Sequence, residues 1–93
     1  MNKAMSGQQD TLLEFPCQFP IKIMGQANQE FEFAVVAIVR RHVPDLSETA
    51  IKRRESSANK YAALTVTINA TSKAQLDAIY QELSAHPLVL MAL

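Results

Sequence analysis

Tyr61-Ala62-Ala63-Leu64-Thr65-Val66-Thr67-Ile68-Asn69-Ala70 is the stretch from which the fold of this 93-residue chain can be worked out. Apolar and polar residues alternate strictly from Leu64 to Asn69, which is the pattern of a β-strand with one buried face. The side chains predicted to point into the core are Leu64, Val66 and Ile68. Those predicted to lie on the opposite face are Thr65, Thr67 and Asn69.

A helical pattern follows this strand. Ser72 is placed to cap the first turn, and Gln75 is placed to reach back to the cap, as in a capping box. The predicted buried stripe of this helix consists of Leu76, Ile79, Tyr80 and Leu83. Pro87 follows the helix, and the run 88–93 has no polar residue, which predicts a last strand that is covered on both faces.

The first half of the chain has the same order of strand and helix. One face of the predicted first strand carries Phe19, Ile21 and Ile23. Gly25 is predicted to end this strand, because glycine permits a sharp turn or the close approach of another backbone. The helix is predicted to begin after its cap, Asn28, and to end before Pro44. Its apolar stripe consists of Phe31, Ala34, Val35, Ile38, Val39 and His42.

The segment between Asp45 and Ser57 is rich in charge and alternates only weakly. One side would carry Thr49, Ile51, Arg53 and Glu55, and the other Ala50, Lys52 and Arg54. Lysine and arginine on a strand discourage pairing with other molecules, so we expect this strand at an edge of the sheet. A turn over residues 56–59 would then lead into the alternating strand.

The resulting order is β-α-β-β-α-β. Right-handed crossovers then predict an α+β, ferredoxin-like fold, with a four-stranded antiparallel sheet in the order 4-1-3-2 and two helices on one face. Residues 1–10 are polar and are predicted to form a flexible N-terminal tail, so that residues 11–93 form a single domain. An arm that lies against this domain is predicted from Leu12, Leu13 and Phe15.

Composition narrows the classes of function. Nine basic and nine acidic residues balance, so net charge gives no reason to expect a nucleic-acid or membrane partner. One cysteine excludes an internal disulfide bond. We expect a cytoplasmic protein, because the chain has neither a signal-like start nor an apolar run of roughly the 20 residues needed to cross a bilayer.

The side chains that carry catalysis are scattered in the sequence. Cys17 lies near the start of a strand, and His42 and His86 lie near helix ends without metal-ligand spacing. A glycine-rich phosphate loop is excluded, because the chain has two glycines. We therefore expect no enzyme, no cofactor and no metal.

Nucleic-acid binding is the second class, since RNA-binding domains share this topology. The face away from the helices should carry Lys22, Met24, Tyr61, Thr65 and Thr67. One aromatic residue is too few to stack several bases, so the pattern disfavours nucleic acid. Six basic and three acidic residues nevertheless lie between residues 40 and 60. This excess leaves two interpretations, a solvated face or an anion-binding patch formed by Lys52, Arg53, Arg54 and Lys60.

Assembly is the third class. An apolar last strand at a sheet edge needs a cover, which the N-terminal arm or a second copy of the chain would provide. The interface residues predicted for an edge-to-edge homodimer are Leu88, Leu90, Met91 and Leu93.

Several motifs also resemble one family of small bacterial proteins. They are Leu12-Leu13-Glu14-Phe15-Pro16, Phe19, Lys22, Met24-Gly25-Gln26-Ala27, Tyr61, Thr65, Thr67, Asn69-Ala70-Thr71, Tyr80, Leu83, Val89, Met91 and Leu93. On these residues the chain resembles the YbeD family over residues 11–93. The resemblance implies a ferredoxin-like fold similar to ACT regulatory domains. It also implies a link of undefined kind to lipoate attachment, because the genes of family members commonly lie beside lipoate-attachment genes.

The similarity to ACT domains implies a candidate ligand site in the turn after the first strand. The matching positions are Gly25, Gln26, Ala27 and Asn28, where amides at a helix start would hold a carboxylate. The acidic-Pro-Gly turn that is usual in ACT domains is absent here. The alternative is that Gly25 permits the turn and Asn28 caps the helix.

The sequence thus predicts a non-catalytic regulatory or interaction module that binds a partner protein or a small anionic ligand. The alternative is an anion or nucleic-acid binder that uses the basic second strand.

Overall fold

Strand β3 (Tyr61–Ala70) pairs antiparallel along its whole length with β1 (Cys17–Gln26). The computed structural model describes residues 14–55, 58 and 60–93. Within them the short strand β2 (Ile51–Glu55) pairs with the other side of β3, and β4 (Val89–Ala92) pairs with the other side of β1. The sheet order is β2-β3-β1-β4, which is the predicted order 4-1-3-2 read from the opposite edge. The ferredoxin-like α+β topology is confirmed.

The alternation in β3 gives the sheet its two sides. Leu64, Val66 and Ile68 are each at most 1% exposed. The helices α1 (Gln29–His42) and α2 (Lys73–Ala85) cover this side. Their buried residues are Phe31, Val35, Ile38, Val39, Leu76, Ile79 and Leu83. One hydrophobic core therefore lies between the helices and one face of the sheet, as predicted.

Both helices begin at the predicted caps. The Asn28 side chain accepts a hydrogen bond from the Phe31 amide at 2.8 Å, and Ser72 accepts one from the Gln75 amide at 3.1 Å. The second half of the predicted capping box is wrong, because the Gln75 side-chain oxygen accepts from the Thr71 amide at 2.8 Å. Its amide nitrogen donates to the His42 carbonyl at 3.2 Å, so Gln75 ties the start of α2 to the end of α1.

Gly25 is the next-to-last residue of β1 and pairs with Val89 and Ala62, so the strand ends at Gln26, one residue later than predicted. A β-carbon at Gly25 would overlap the ring of Phe31 and lie 2.6 Å from the Leu88 carbonyl oxygen. The sequence suggested that another backbone approaches Gly25 closely, and the Leu88 carbonyl is that backbone group.

The last strand also differs from its prediction. Leu90, Met91 and Leu93 are 61%, 49% and 63% exposed, so β4 is not covered on both faces. The strand lies at the sheet edge, and its register shifts between Met24 and Gly25. The segment before β2 is a 3₁₀ turn (Glu48–Ala50), which shortens the predicted second strand.

Several predictions concern residues near the start of the chain and in the β2–β3 connection. Phe15 packs against the core, as expected for an arm. The tail 1–10, the residues Leu12 and Leu13, and most of the predicted turn (Ser56, Ser57 and Asn59) lie outside the described residues.

Candidate functional site

The sheet face opposite the helices, here called the open face, is where exposed side chains of all four strands come together. Besides Gln18, Pro20, Thr67 and Asn69, at the end of this face that β2 and β4 do not reach, the register places ten residues on it: Lys22, Met24 and Gln26 of β1, Lys52 and Arg54 of β2, Tyr61, Ala63 and Thr65 of β3, and Met91 and Leu93 at β4. Leu93 belongs to this set because its backbone exchanges two hydrogen bonds with Lys22, at 2.7 and 3.1 Å.

These residues form two rows across the sheet. One row runs Lys52, Thr65, Lys22 and Leu93, and the next runs Arg54, Ala63, Met24 and Met91. Neighbouring strands lie roughly 4.8 Å apart, so the backbones of Lys22 and Lys52 are about 10 Å apart with Thr65 between them. Two of the cations, Lys52 and Arg54, lie on β2, and the large apolar side chains lie on β1 and at β4. The third cation, Lys22, lies on β1 next to Leu93.

A furrow runs along β3 on this face. Ala63 and Thr65 are smaller than their neighbours on either side. The concavity above them has a volume of about 520 Å³ and is lined by Lys22, Met24, Lys52, Arg53, Arg54, Ala63, Thr65 and Leu93. A second concavity of about 200 Å³ shares Met24, Arg54 and Ala63 with the first and is also lined by Glu55, Tyr61 and Ala62. The furrow therefore has a basic wall on β2, an opposite wall that is apolar except for Lys22, and a small-residue floor.

The charge on this part of the open face is of one sign, although Glu55, paired with Arg53, lines the second concavity. All ten of its residues are neutral or basic, with cations at Lys22, Lys52 and Arg54. Within the described part of the chain, none of these three cations forms an ion pair. Their charges therefore remain available to an anion.

The predicted anion patch is divided by the sheet. Lys52 and Arg54 lie on the open face, whereas Arg53 lies opposite Leu64 on the helix side. Arg53 forms ion pairs with Glu32 at 2.5 Å and with Glu55 at 2.6 Å. Lys60 is exposed just before β3, and its carbonyl accepts a hydrogen bond from the Ala27 amide.

The cation that the predicted patch lacks is Lys22. It lies in the same row as Lys52 and on the same face as Arg54. Strand parity in the sequence already put Lys22 on this face, and that signal was sufficient to group it with Lys52 and Arg54 and to leave Arg53 out.

The turn after β1 is held by bonds within the chain. The Ala27 amide donates to the Lys60 carbonyl at 3.1 Å, and the Asn28 amide donates to the Gln26 carbonyl at 2.8 Å. Asn28 caps α1, and Gly25 packs against Phe31. The amides of Ala27 and Asn28, which the ACT resemblance would assign to a carboxylate, are therefore already used by backbone carbonyls.

The four predicted interface residues are placed differently from one another. Leu88 is half-buried and packs against the core. Met91 and Leu93 are exposed at the apolar side of the open face, and Leu90 is exposed beside them on β4. Three of the four are thus at the surface, along the β4 edge.

The titratable side chains away from the open face have structural partners. His42 lies 3.0 Å from Glu82, which also pairs with Arg41. Hydrogen bonds from Arg41 and then from His42 lower the pKa of the Glu82 carboxyl. Burial raises the pKa of Tyr80, whose hydroxyl donates to the Leu93 carbonyl at 2.7 Å.

The remaining candidates for chemistry are dispersed. His86 accepts a hydrogen bond from the Leu88 amide at 3.1 Å, and Cys17 is a free, half-buried thiol at the start of β1. In residues 14–55, 58 and 60–93, no three side chains of histidine, cysteine, aspartate or glutamate converge as metal ligands would. Neither α1 nor α2 has the length and apolarity to cross a membrane.

A search of solved structures gives a likeness in fold. An uncharacterized protein of Thermotoga maritima superposes with a TM-score of 0.61 and 10% sequence identity. The match covers 82% of this chain and 92% of that protein.

Sequence comparison gives much nearer relatives. A UPF0250 protein of Chromobacterium violaceum is 51% identical over 96% of this chain and 100% of its own length. Another from Nitrosomonas europaea is 47% identical over 91% of this chain and 98% of its own length. The profile of the family described as "Protein of unknown function (DUF493)" matches residues 10–93. The chain therefore belongs to the DUF493 family, the UPF0250 proteins that include YbeD, and the resemblance indicated by its motifs is confirmed.

Proposed function

We propose that this protein is a small, non-catalytic interaction module whose open face binds an anionic partner protein. The observation that carries the proposal is the set Lys22, Lys52 and Arg54, which lie on one face without a carboxylate among the face residues. The whole chain has equal numbers of basic and acidic residues, so this face is a local separation of charge. Such a surface attracts anions and accelerates their association.

Charge alone would give modest affinity. An exposed ion pair contributes roughly 0.2–1 kcal/mol, so three pairs contribute about 1–3 kcal/mol. Apolar contact has to supply the remainder, and the open face offers it at Met24, Met91 and Leu93, which are 39%, 49% and 63% exposed. A partner that uses both walls of the furrow fits the surface best.

The placement of reactive groups supports binding in preference to catalysis. Cys17 is at the far end of β1 from the furrow, opposite Ala70, and the rings of His42 and His86 are engaged at helix ends. General acid–base catalysis requires a titratable group within reach of the substrate. The ten open-face residues include lysine, arginine and tyrosine but neither histidine nor a carboxylate.

Nucleic acid is the second candidate for the basic surface. Its support is the alignment of Lys22 and Lys52 beside Arg54, with Tyr61 on the same face. Single-stranded binders stack successive bases on aromatic side chains, and Tyr61 is the one aromatic among the ten open-face residues. An acidic protein is therefore the preferred partner.

We also propose that a second copy of the chain pairs at the β4 edge. The exposed Leu90 supports this contact, as does the outer side of β4, which pairs with no strand of the described residues. Such pairing would extend the sheet across a twofold axis. Sedimentation of wild type and Leu90→Lys at micromolar concentration tests it, and a wild-type monomer would contradict it. The proposed location is the cytoplasm, whose reducing conditions suit one free cysteine.

Binding of a fluorescent poly-glutamate peptide, followed by anisotropy at low salt, tests the anionic-partner proposal. Lys52→Ser should weaken binding about two- to fivefold, because it removes one exposed ion pair. Lys73→Ser is the matched control, since it removes the same charge from α2, outside the open face. The triple change at Lys22, Lys52 and Arg54 should reduce binding to background.

Two results would contradict the proposal. In one, wild type does not bind the peptide. In the other, Lys73→Ser weakens binding as much as Lys52→Ser does. A single-stranded oligonucleotide of equal charge that binds more tightly, with the same dependence on Lys52, would favour the nucleic-acid alternative.

A further inference from the structure

We infer that the element bound by the open face is an acidic amphipathic α-helix of the partner protein. This inference rests on the proposed function and specifies the shape of the partner. It follows from the order of side chains across the sheet, from the width of the sheet and from the charge of the face.

Apart from Lys22 on β1, the side chains change from basic on β2 to apolar on β1 and at β4. The row through Arg54 continues over Ala63 to Met24 and Met91, and the row through Lys52 ends at Leu93. A helix with an apolar stripe bordered on one side by carboxylates presents the complementary order. Its stripe would lie over the β1–β4 side, and its carboxylates would lie over the β2 side.

The dimensions also suit a helix. The outer strands of a four-stranded sheet lie about 14 Å apart, and a helix with its side chains is roughly 10–12 Å wide. The floor of the furrow is made of Ala63 and Thr65, so a helix can approach the sheet closely. The other face of the same sheet already packs two helices, and the docked helix would complete a third layer.

Other occupants fit the open face less well. A second copy of the chain would bring the cations of two open faces together. A small anion would be poorly enclosed, because Met24 and Tyr61 remain 39% and 45% exposed, whereas ligand pockets typically bury about 70–90% of the ligand surface. Residues 1–13 of this chain contain one acidic and one basic residue, Asp10 and Lys3, and so offer no net negative charge.

Three labelled peptides of roughly 18 residues, long enough to form a helix on binding, test the inference. The first places leucines in a helical stripe with glutamates along one border. The second has the same composition in an order without a stripe, and the third has lysine in place of glutamate. We expect the first peptide to bind the protein at least tenfold more tightly than the second, and to exceed the affinity of the third by a larger factor. Binding to the protein should also increase the far-ultraviolet circular dichroism signal of an α-helix in the first peptide.

Variants of the protein assign the apolar contact. Met91→Gln should weaken binding of the striped peptide about three- to fivefold and leave binding of the scrambled acidic peptide unchanged. Phe33→Gln is the matched control, because Phe33 is 70% exposed but lies on α1, outside the open face. Phe33→Gln should bind the striped peptide as tightly as wild type does.

The outcomes separate the two proposals. If striped and scrambled acidic peptides bind equally and both depend on Lys52, the helix inference is overturned and the anionic-partner function stands. If neither acidic peptide binds, or if the lysine peptide binds as tightly, the proposed function itself fails. If Phe33→Gln weakens binding of the striped peptide as much as Met91→Gln does, the peptide does not dock on the open face and the inference is overturned.

Discussion

Gly25 in β1 faces the ring of Phe31 in α1 so closely that a β-carbon at position 25 would overlap it. The same β-carbon would lie 2.6 Å from the Leu88 carbonyl oxygen, so the first strand, the first helix and the approach to β4 meet at this glycine. The contact requires the absence of a side chain, and no unusual backbone angle is involved, since Gly25 has no positive φ.

Gly25→Ala should therefore destabilise the protein by about 1–3 kcal/mol, the usual cost of overpacking a core. Urea denaturation followed by circular dichroism measures the change. Phe31→Leu makes room on one side, so Gly25→Ala should cost less in the Phe31→Leu background than in wild type. Equal costs in both backgrounds would show that the ring is not the obstacle.

Neighbouring positions on β3 should respond oppositely to a carboxylate. Val66 is fully buried, and Val66→Asp places an unpaired charge in the core, which should unfold the protein. Thr65→Asp adds the same group on the open face and should leave the circular dichroism spectrum unchanged. It should also weaken poly-glutamate binding, because it neutralises charge between Lys22 and Lys52. A folded Val66→Asp protein would contradict the assigned faces.

The Glu82 cluster predicts a loss of stability in acid. Arg41 and His42 lower the pKa of Glu82 in the folded state, so its carboxylate stabilises the fold above the pKa of the unfolded chain. That contribution is lost as pH falls through the lowered folded pKa. Glu82→Gln should therefore flatten the dependence of the unfolding free energy on pH in this acid range. Asp77→Asn on the same helix is the control for removing a surface carboxylate, and an equal flattening would contradict the assignment.

Tyr80 should tie α2 to the end of the sheet. Its hydroxyl donates to the Leu93 carbonyl at 2.7 Å, and Tyr80→Phe should cost about 0.5–1.5 kcal/mol, the usual net contribution of one hydrogen bond. Burial raises the pKa of Tyr80, so its contribution is complete below the ordinary tyrosine pKa of about 10 and is lost as pH rises through the raised value. Wild type should thus lose more stability than Tyr80→Phe in alkali. Equal stability of the two at neutral pH would exclude the bond as a stabilising contact.

The sequence predicted those features that depend on neighbouring residues. The alternation around Val66 and the caps at Asn28 and Ser72 are local signals, and each has the predicted structure. The sheet order then followed from chain connectivity and the handedness of crossovers.

Features that depend on how separate elements meet were not predicted. The sequence suggested a close approach at Gly25, but the Phe31 ring as the group that approaches became visible only in the folded structure. The exposure of Met91 depends on the edge location of β4, which an uninterrupted apolar run does not reveal. The open-face cations are an intermediate case, because parity separates Arg53 from Lys52, but the ion pairs of Arg53 with glutamates become visible only in the assembled structure.

The alignment of β2 against β3 has a consequence for how this protein can diverge. Lys52 lies opposite Thr65 and Arg53 lies opposite Leu64, so a slip of one residue would send Arg53 outward and turn Lys52 towards the helices. A lineage could thereby exchange or lose its binding preference while every lysine and arginine of the chain was retained.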